Sequence, residues 1–139
     1  MTSTNPIKAL SLVQPWAWLI VSGIKNIENR TWPTKHTGWT YIHASQRRSC
    51  GDYDTASRLL DKHNKTHGTN HKLPMFNALD RGAIVGLVYI RDCVAASDSL
   101  WFFGPYGFLV SEAKPLEPIP CKGALGFFVP PVQSLAVIS

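Results

Sequence analysis

Apolar residues near the start of the chain are spaced first as a strand and then as a helix. Ala9 to Leu12, "ALSL", is a short apolar run that predicts a strand. In the following "QPWAWLIVSG", Pro15 suits the first turn of a helix and Gly23 suits its left-handed end. We therefore predict a short helix between these two residues.

The segment after Gly23 has an extended pattern and concentrates charge. In "NIENRTW", a strand places Ile27 on one face and both Glu28 and Arg30 on the other. Lys25 falls between the end of the helix and this strand. We expect its ammonium group to project from the connecting loop.

The middle of the chain predicts one strand, one helix and one loop. "GWTYIHAS", residues 38–45, alternates β-branched and aromatic residues and is typical of a strand. From Gly51 to about His63 the apolar spacing lengthens to that of an amphipathic helix, with Asp52 as its expected N-cap. Polar residues 64–74, with one glycine among them, then predict a flexible loop.

The C-terminal half predicts three strands. Residues 82–94 form the longest apolar run, and Gly86 inside it indicates a bend or bulge. Residues 106–116 and 126–130 predict two more strands, separated by the proline-rich "EPIPCKG". The fold class is therefore α+β and β-rich: a small open β-barrel of about five or six strands with two or three flanking helices.

Length and charge narrow the class of partner. A chain of 139 residues is long enough for one domain with its own core. The net charge of +5 favours an anionic partner, of which nucleic acid is the commonest for a small basic domain, although solubility alone explains this charge equally well. No run of five like charges provides a basic tail.

Cysteine usage and the apolar runs bear on the compartment. The three cysteines are odd in number and widely spaced, which fits neither a disulfide framework nor a paired zinc site. The first ten residues lack the pattern of a signal peptide, and no apolar run has the length of a membrane span. We expect a soluble protein in the reducing cytoplasm, without a membrane partner.

Two other clusters are weak candidates for chemistry. His63, His67 and His71 recur at four-residue spacing, but Gly68 and its polar neighbours should break a helix there. A solvated loop explains these histidines better than a metal site, and we expect no metal or cofactor. Ser45 follows His43 by two positions on a strand, a spacing too common to indicate a catalytic dyad.

Lys25, Glu28 and Arg30 form the better candidate. A lysine beside a carboxylate can donate to a base carbonyl or a phosphate, while the acid accepts from a base amino group. The same residues could instead be a surface ion pair of little energetic value. Tryptophans nearby offer flat apolar faces on which an unpaired base can stack.

The same stretch carries a resemblance to a known family. "LSLVQPWAWLIVSGIKNIENRTW" resembles the opening signature of the ASCH domain family, which belongs to the PUA-like superfamily of small β-barrels. The matching positions are Gln14, Pro15, Trp16, Ala17, Gly23, Lys25, Glu28 and Arg30. The strands "GWTYIHAS" and "GAIVGLVYIRDCV" and the closing "WFFGPYGFLVSEAKPLEPIPCKGALGFF" resemble later family motifs in the same order.

The resemblance implies a fold and a ligand. It covers about residues 10–130 and suggests one ASCH domain over residues 1–139, with a variable helical or loop insertion at about 46–80. It implies binding of RNA or of a modified nucleoside in a cleft around Lys25 and Glu28. The ligand-binding residues carried over are Trp16, Lys25, Glu28, Arg30, His43, Ser45, Tyr106 and Lys122.

The resemblance also leaves two alternatives open. Some family members are hydrolases, either N4-acetylcytidine amidohydrolases or ribonucleases; if this chain is one, Lys25 and Glu28 are its catalytic residues. Lys25 occupies the lysine position of the amidohydrolase pattern, but Glu28 stands where that pattern has a threonine. The second alternative is a protein-interaction module whose basic charge is incidental. The oligomeric state stays open.

Overall fold

A computed structural model describes residues 6–131, and their strands form one six-stranded sheet. The strands are β1 (Lys8–Leu12), β2 (Ile27–Arg30), β3 (Gly38–Ala44), β4 (Ala83–Val94), β5 (Tyr106–Pro120) and β6 (Phe127–Phe128). The helices are α1 (Trp16–Val21), α2 (Cys50–His67) and a 3-10 turn at Phe76–Ala78. These elements confirm the predicted β-rich α+β class. Neither α-helix is long and apolar enough to cross a bilayer, as far as the described residues go.

The sheet curls until its two edges approach each other. The strand order is β2-β5-β4-β3-β1-β6, in which only β1 and β3 pair in parallel. Strands β2 and β6 are opposite edges, yet the ring of Trp32, two residues after β2, lies 5.8 Å from the ring of Phe127 in β6. Nη2 of Arg30 in β2 also donates to the carbonyl oxygen of Ser11 in β1, at 2.9 Å. The sheet is therefore an open barrel, as predicted.

Apolar side chains fill the barrel and join it to the helices. One buried cluster inside the curl contains Leu10, Ile42, Val88 and Phe108. A second cluster joins α1 and α2 to β2 through Leu19, Leu60 and Ile27. These two clusters fix the position of both helices relative to β2, which carries the charged residues predicted to form a site.

Helix α2 differs from its predicted bounds at both ends. Its N-cap is Ser49, whose Oγ accepts from the N–H of Asp52 at 3.1 Å, so the prediction that Asp52 caps the helix is wrong. The helix also continues for one turn beyond His63, into residues predicted to be loop. It ends at Gly68, which has the left-handed φ of 65° that a helix stop requires.

Strand β5 extends four residues beyond its predicted end and includes the prolines that we expected to interrupt it. Proline cannot donate a ladder hydrogen bond, so it is tolerated on a strand with a free edge. Strand β2 pairs only with residues 106–109 of β5, which leaves one edge of the proline-containing part without a neighbouring strand among the described residues. Strand β6 is shorter than predicted, at two residues.

Gly86 marks the closest approach of α1 to the sheet. The β4–β5 register shifts between Ile84 and Gly86, which confirms the predicted irregularity. A Cβ atom at position 86 would lie 2.6 Å from Cβ of Val21 and 2.9 Å from the carbonyl oxygen of Lys114. Val21 is part of α1 and Lys114 is part of β5, so displacing either atom would distort a helix or a strand.

We expect Gly86→Ala to lower the free energy of unfolding by about 1–3 kcal/mol, the usual cost of overpacking a core. Gly51→Ala is the matched control, because Gly51 is exposed in the first turn of α2 and a Cβ there meets no atom within 4 Å. The control should be neutral or stabilising by up to about 1 kcal/mol. Urea denaturation measures both changes, and equal stability of the two variants would contradict the tight packing of α1.

Candidate nucleotide-binding cleft

Strand β2 presents its charged residues on one face, as predicted. Ile27 is fully buried, whereas Glu28 and Arg30 meet through a contact of 3.1 Å between Oε2 and Nε. The Arg30 guanidinium is held at a second point by the carbonyl oxygen of Ser11. Two fixed contacts on different strands leave this guanidinium little freedom.

The side chain of Lys25 points inward, which corrects the expectation that it projects from a loop. Gly23, with φ at 81°, turns the chain back after α1, and the N–H of Lys25 then donates to the carbonyl oxygen of Leu19 at 3.0 Å. The side chain is only 2% exposed, and Nζ lies 5.6 Å from the ring centroid of Trp16. The aromatic face therefore replaces part of the water lost by the ammonium group.

Lys25 has two partners for three ammonium hydrogens. Nζ donates to the carbonyl oxygen of Ile27 and lies 3.6 Å from Oε1 of Glu28. Burial lowers the pKa of Lys25 below its usual range; the charge and hydrogen bonding of Glu28 oppose this shift, and the charge of Arg30 adds to it. Since a lysine ammonium has three donors, one N–H remains without a partner among the described residues.

This ammonium group lines a cavity of about 290 Å³, which we call the lysine cavity. Its walls are Trp16, Lys25, Glu28, Asn29, Thr55 and Phe103. Phe103 is 61% exposed, so part of its ring remains accessible to a ligand. The cavity thus combines two aromatic faces with one cation and one carboxylate.

A second cavity of about 360 Å³ shares Trp16, Glu28 and Asn29 with the first. We call it the arginine cavity, because Arg30 and Arg47 line it. The two cavities together are the cleft. Each is near the lower end of the range of about 300–1,000 Å³ typical of small-molecule sites.

Asn29 is a cleft residue that the sequence did not single out. Its Oδ1 accepts from the N–H groups of Phe103 and Gly104, at 2.7 and 3.0 Å, and its Nδ2 donates to the carbonyl oxygen of Trp101 at 2.9 Å. These bonds hold the loop that carries Phe103 against β2. The partners are more than 70 positions away in sequence, so no local pattern could have found them.

Helix α2 contributes two further unpredicted residues, Asp52 and Thr55. Oδ1 of Asp52 accepts from Nε1 of Trp16 at 3.1 Å, and Thr55 lines the lysine cavity. Their spacing of three places both on one helix face, beside the buried face that contains Ala56. The sequence shows that Asp52 and Thr55 share a helix face, but nothing in it indicates which side of α2 faces β2.

The other predicted ligand-binding residues do not join this cleft. His43, Ser45 and Lys122 line a different pocket, which shares no lining residue with the cleft. Tyr106 lies opposite Arg30 in the β2–β5 ladder and lines neither cavity. On β3, Ile42 and Ala44 belong to the cluster inside the barrel, and His43 between them lies on the opposite face, a choice of faces that strand alternation alone could not decide.

The histidines with four-residue spacing lie at the end of α2 and just beyond it. The rings of His63 and His67 are 4.3 Å apart, and those of His63 and His71 are 6.0 Å apart. Among residues 6–131, no group of histidine, cysteine or acidic side chains has a geometry that could hold a metal ion.

Comparisons with known proteins found a matching family model and two similar proteins. The family model for the ASCH domain matches residues 10–120. Activating signal cointegrator 1 from Mus musculus is 35% identical over 86 residues, which are 62% of this chain and 14% of that protein. The Homo sapiens protein of the same name is 34% identical over 86 residues, with the same shares. The chain therefore corresponds to a small part of the length of these relatives.

A solved structure gives a further comparison. The crystal structure of ASCH from Zymomonas mobilis has 16% sequence identity to this chain and a TM-score of 0.49. The superposition covers 83% of this chain and 73% of that one.

Proposed function

Because this chain belongs to the ASCH domain family, we propose that it binds RNA or a modified nucleoside in the cleft around Lys25 and Glu28. The observation that carries this proposal is the buried Lys25 ammonium, which has an unused N–H at the wall of an aromatic-lined cavity. A buried polar donor is costly unless it is paired, and a ligand that accepts from it supplies the missing partner.

The lysine cavity suits one unpaired base. Trp16 and Phe103 offer apolar faces for stacking. Lys25 donates to a ring nitrogen or carbonyl oxygen on the edge of the base. Glu28 accepts from an exocyclic amino group, because each carboxylate oxygen keeps a free lone pair beside Lys25 and Arg30.

The arginine cavity suits the phosphate attached to that nucleotide. Arg47 is exposed and has no ion pair among the described residues, so its guanidinium can take a phosphate in bidentate fashion. Arg30 lies on the opposite wall with part of its guanidinium already bonded. We therefore propose Arg47 as the second residue at the phosphate, whereas Lys122 lines a different pocket.

A thermal-shift screen against modified nucleosides and short single-stranded RNAs tests this proposal. We expect at least one ligand to raise the melting temperature, with RNA binding that weakens as salt rises because phosphate contacts release counterions. No shift with any nucleoside or RNA at low salt would contradict it. Indifference to every nucleic acid and to salt would favour the protein-interaction module instead.

Removing the aromatic ring at the edge of the cleft should weaken binding without affecting the fold. We expect Phe103→Ala to reduce affinity for a ligand found in the screen by about 1–3 kcal/mol, roughly 5- to 150-fold, the contribution typical of one base stacked on an aromatic ring. Met75→Ala is the control, because Met75 is 79% exposed and lies outside the cleft. Fluorescence anisotropy measures both, and equal losses would exclude stacking on Phe103.

A second candidate, amide hydrolysis on an acylated cytidine, is favoured by one observation. Lys25, Glu28 and Thr55 all line the lysine cavity, so a lysine, an acid and a threonine are present together. Thr55 comes from α2 and not from the position of Glu28, where the amidohydrolase pattern has its threonine. Burial lowers the pKa of Lys25, so its neutral amine, which can accept a proton from the attacking hydroxyl group or water, is easier to form than that of an exposed lysine.

Product analysis distinguishes hydrolysis from binding. N4-acetylcytidine and water would give cytidine and acetate, and both Lys25→Met and Thr55→Val should abolish this turnover. Cleavage of RNA should be followed in parallel, with and without a divalent metal ion. If the wild-type protein binds its ligand but leaves acetylcytidine and RNA intact, the domain is a binding module.

A further inference from the structure

Ser11 and His43 form a polar pair on the other surface of the sheet from the cleft. They are direct partners in the parallel β1–β3 ladder. Their chain neighbours Leu10 and Ile42 belong to the cluster inside the barrel, so strand alternation places Ser11 and His43 on the opposite face of the sheet, where His43 is only 1% exposed. Oγ of Ser11 lies 2.8 Å from Nδ1 of His43.

The second ring nitrogen of His43 fixes the direction of this hydrogen bond. Nε2 lies 2.7 Å from the carbonyl oxygen of Cys121, and a carbonyl oxygen can only accept. Nε2 therefore carries a hydrogen, and in the neutral ring Nδ1 has the lone pair. Ser11 then donates its hydroxyl hydrogen to Nδ1, so a nucleophile, a base and a group that orients the base stand in line.

This pair opens into a pocket of about 700 Å³, which we call the serine–histidine pocket. Gly123 lies against the pair: a Cβ atom there would be 2.8 Å from Cε1 of His43 and 3.2 Å from Oγ of Ser11. Lys122 supplies positive charge, and the nearly fully exposed Leu125 supplies an apolar wall. Glycine is therefore the residue that fits at position 123 without displacing the pair.

We propose that Ser11 is a nucleophile for carboxylic esters, with His43 as its general base. Oγ of Ser11 attacks the ester carbonyl as its proton passes to Nδ1 of His43. The C–O bond to the alcohol then breaks, and the alkoxide leaves as the alcohol with that proton. Water, deprotonated in turn by His43, attacks the acyl-serine, releases the carboxylic acid and restores the Ser11 hydroxyl group.

The pocket contains two other candidate nucleophiles, and neither has a base. Oγ of Ser45 is buried and has no hydrogen-bond partner among the described residues. The thiol of Cys121 donates to the carbonyl oxygen of Lys122 at 3.3 Å, and burial raises its pKa. A protonated thiol is a poor nucleophile, so Ser11 is the residue that the geometry activates.

Covalent labelling with a fluorophosphonate, followed by peptide mass spectrometry, tests the proposal together with release of p-nitrophenol from p-nitrophenyl acetate. We expect the label on Ser11, and both readouts at background level in Ser11→Ala. His43→Asn should slow labelling about a hundredfold or more, the usual contribution of a general base. Ser45→Ala is the matched control and should react like wild type.

Two further variants keep the test decisive. Gly123→Ala should abolish labelling by displacing the pair even if His43→Asn fails to fold. Lys25→Met should label normally, so failure of the cleft proposal leaves this one intact. A label on any other residue, no label on folded wild type, or equal rates in wild type and folded Ser11→Ala would overturn the assignment.

Discussion

Replacing Lys25 with methionine is expected to lower affinity for a nucleoside or short RNA about ten- to hundredfold while the protein stays folded. The loss corresponds to one charged hydrogen bond, about 1.5–3 kcal/mol. Methionine has nearly the volume of the lysine stem, so the packing against Trp16 survives. Glu28 keeps Arg30 as a partner at 3.1 Å, so no unpaired carboxylate is left behind.

Lys114→Met is the control for net charge. Lys114 is exposed on β5, where its Nζ lies 5.0 Å from the ring centroid of Trp39, and it is absent from the cleft walls. Both variants lower the net charge by one, but only Lys25→Met should lose affinity strongly. Isothermal titration with the ligand from the screen measures the difference, and equal affinities of the two variants would refute a role for Lys25 in binding.

The second large effect is on stability: Glu28→Gln should cost about 3 kcal/mol at neutral pH. Glu28 is 12% exposed and is the carboxylate partner of both Lys25 and Arg30. Its replacement leaves the buried ammonium group without a counter-charge, and breaking one half of a buried ion pair typically costs about 3–5 kcal/mol. The partial exposure of Glu28 puts our expectation at the low end.

If Lys25 causes the loss of stability in Glu28→Gln, that loss should depend on pH. Burial lowers the pKa of Lys25 in the folded state, and Glu28 opposes that shift, so Glu28→Gln lowers it further. Between the folded pKa and the ordinary value of about 10.4, the unfolded chain binds more protons than the folded one. Stability therefore rises with pH through this window, and the loss caused by Glu28→Gln shrinks toward pH 10.

A double-mutant cycle provides the measurement. In Lys25→Met/Glu28→Gln the buried cation is gone, so most of the stability should return at neutral pH. Urea unfolding of the two single variants and the double variant, from pH 7 to pH 10, gives the coupling free energy. A loss that is the same with and without Lys25, or that does not change with pH, would show that Glu28 acts on stability through Arg30 alone.

The sequence predicted those features that depend on a few neighbouring residues. The helix stop at Gly23, the shared face of Glu28 and Arg30, and the irregularity at Gly86 follow from backbone conformation and strand alternation, and the structure confirms all three. The cap of α2 was misplaced because both Ser49 and Asp52 are suitable cap residues, and only the hydrogen bond between them decides.

The features that the sequence missed depend on contacts between distant segments. Asn29 matters because a loop more than 70 residues later returns to it. His43 and Lys122, 79 residues apart in sequence, come together in a pocket separate from the cleft, and no local pattern indicates that pairing. Thr55 lines the cleft because an apolar cluster packs α2 beside β2. The members of that cluster come from distant segments, so no single segment predicts it.

The curl of the sheet leaves the barrel with a seam. Among the described residues, no backbone ladder joins β2 to β1 or β6; the bond from Arg30 to Ser11 and the ring contact of Trp32 with Phe127 bridge that gap. The arginine cavity spans this gap, because it is lined both by Leu12 of β1 and by Arg30 of β2. A molecule bound there would contact both strands across the gap. Its binding should therefore slow hydrogen exchange in β1 and β2 together.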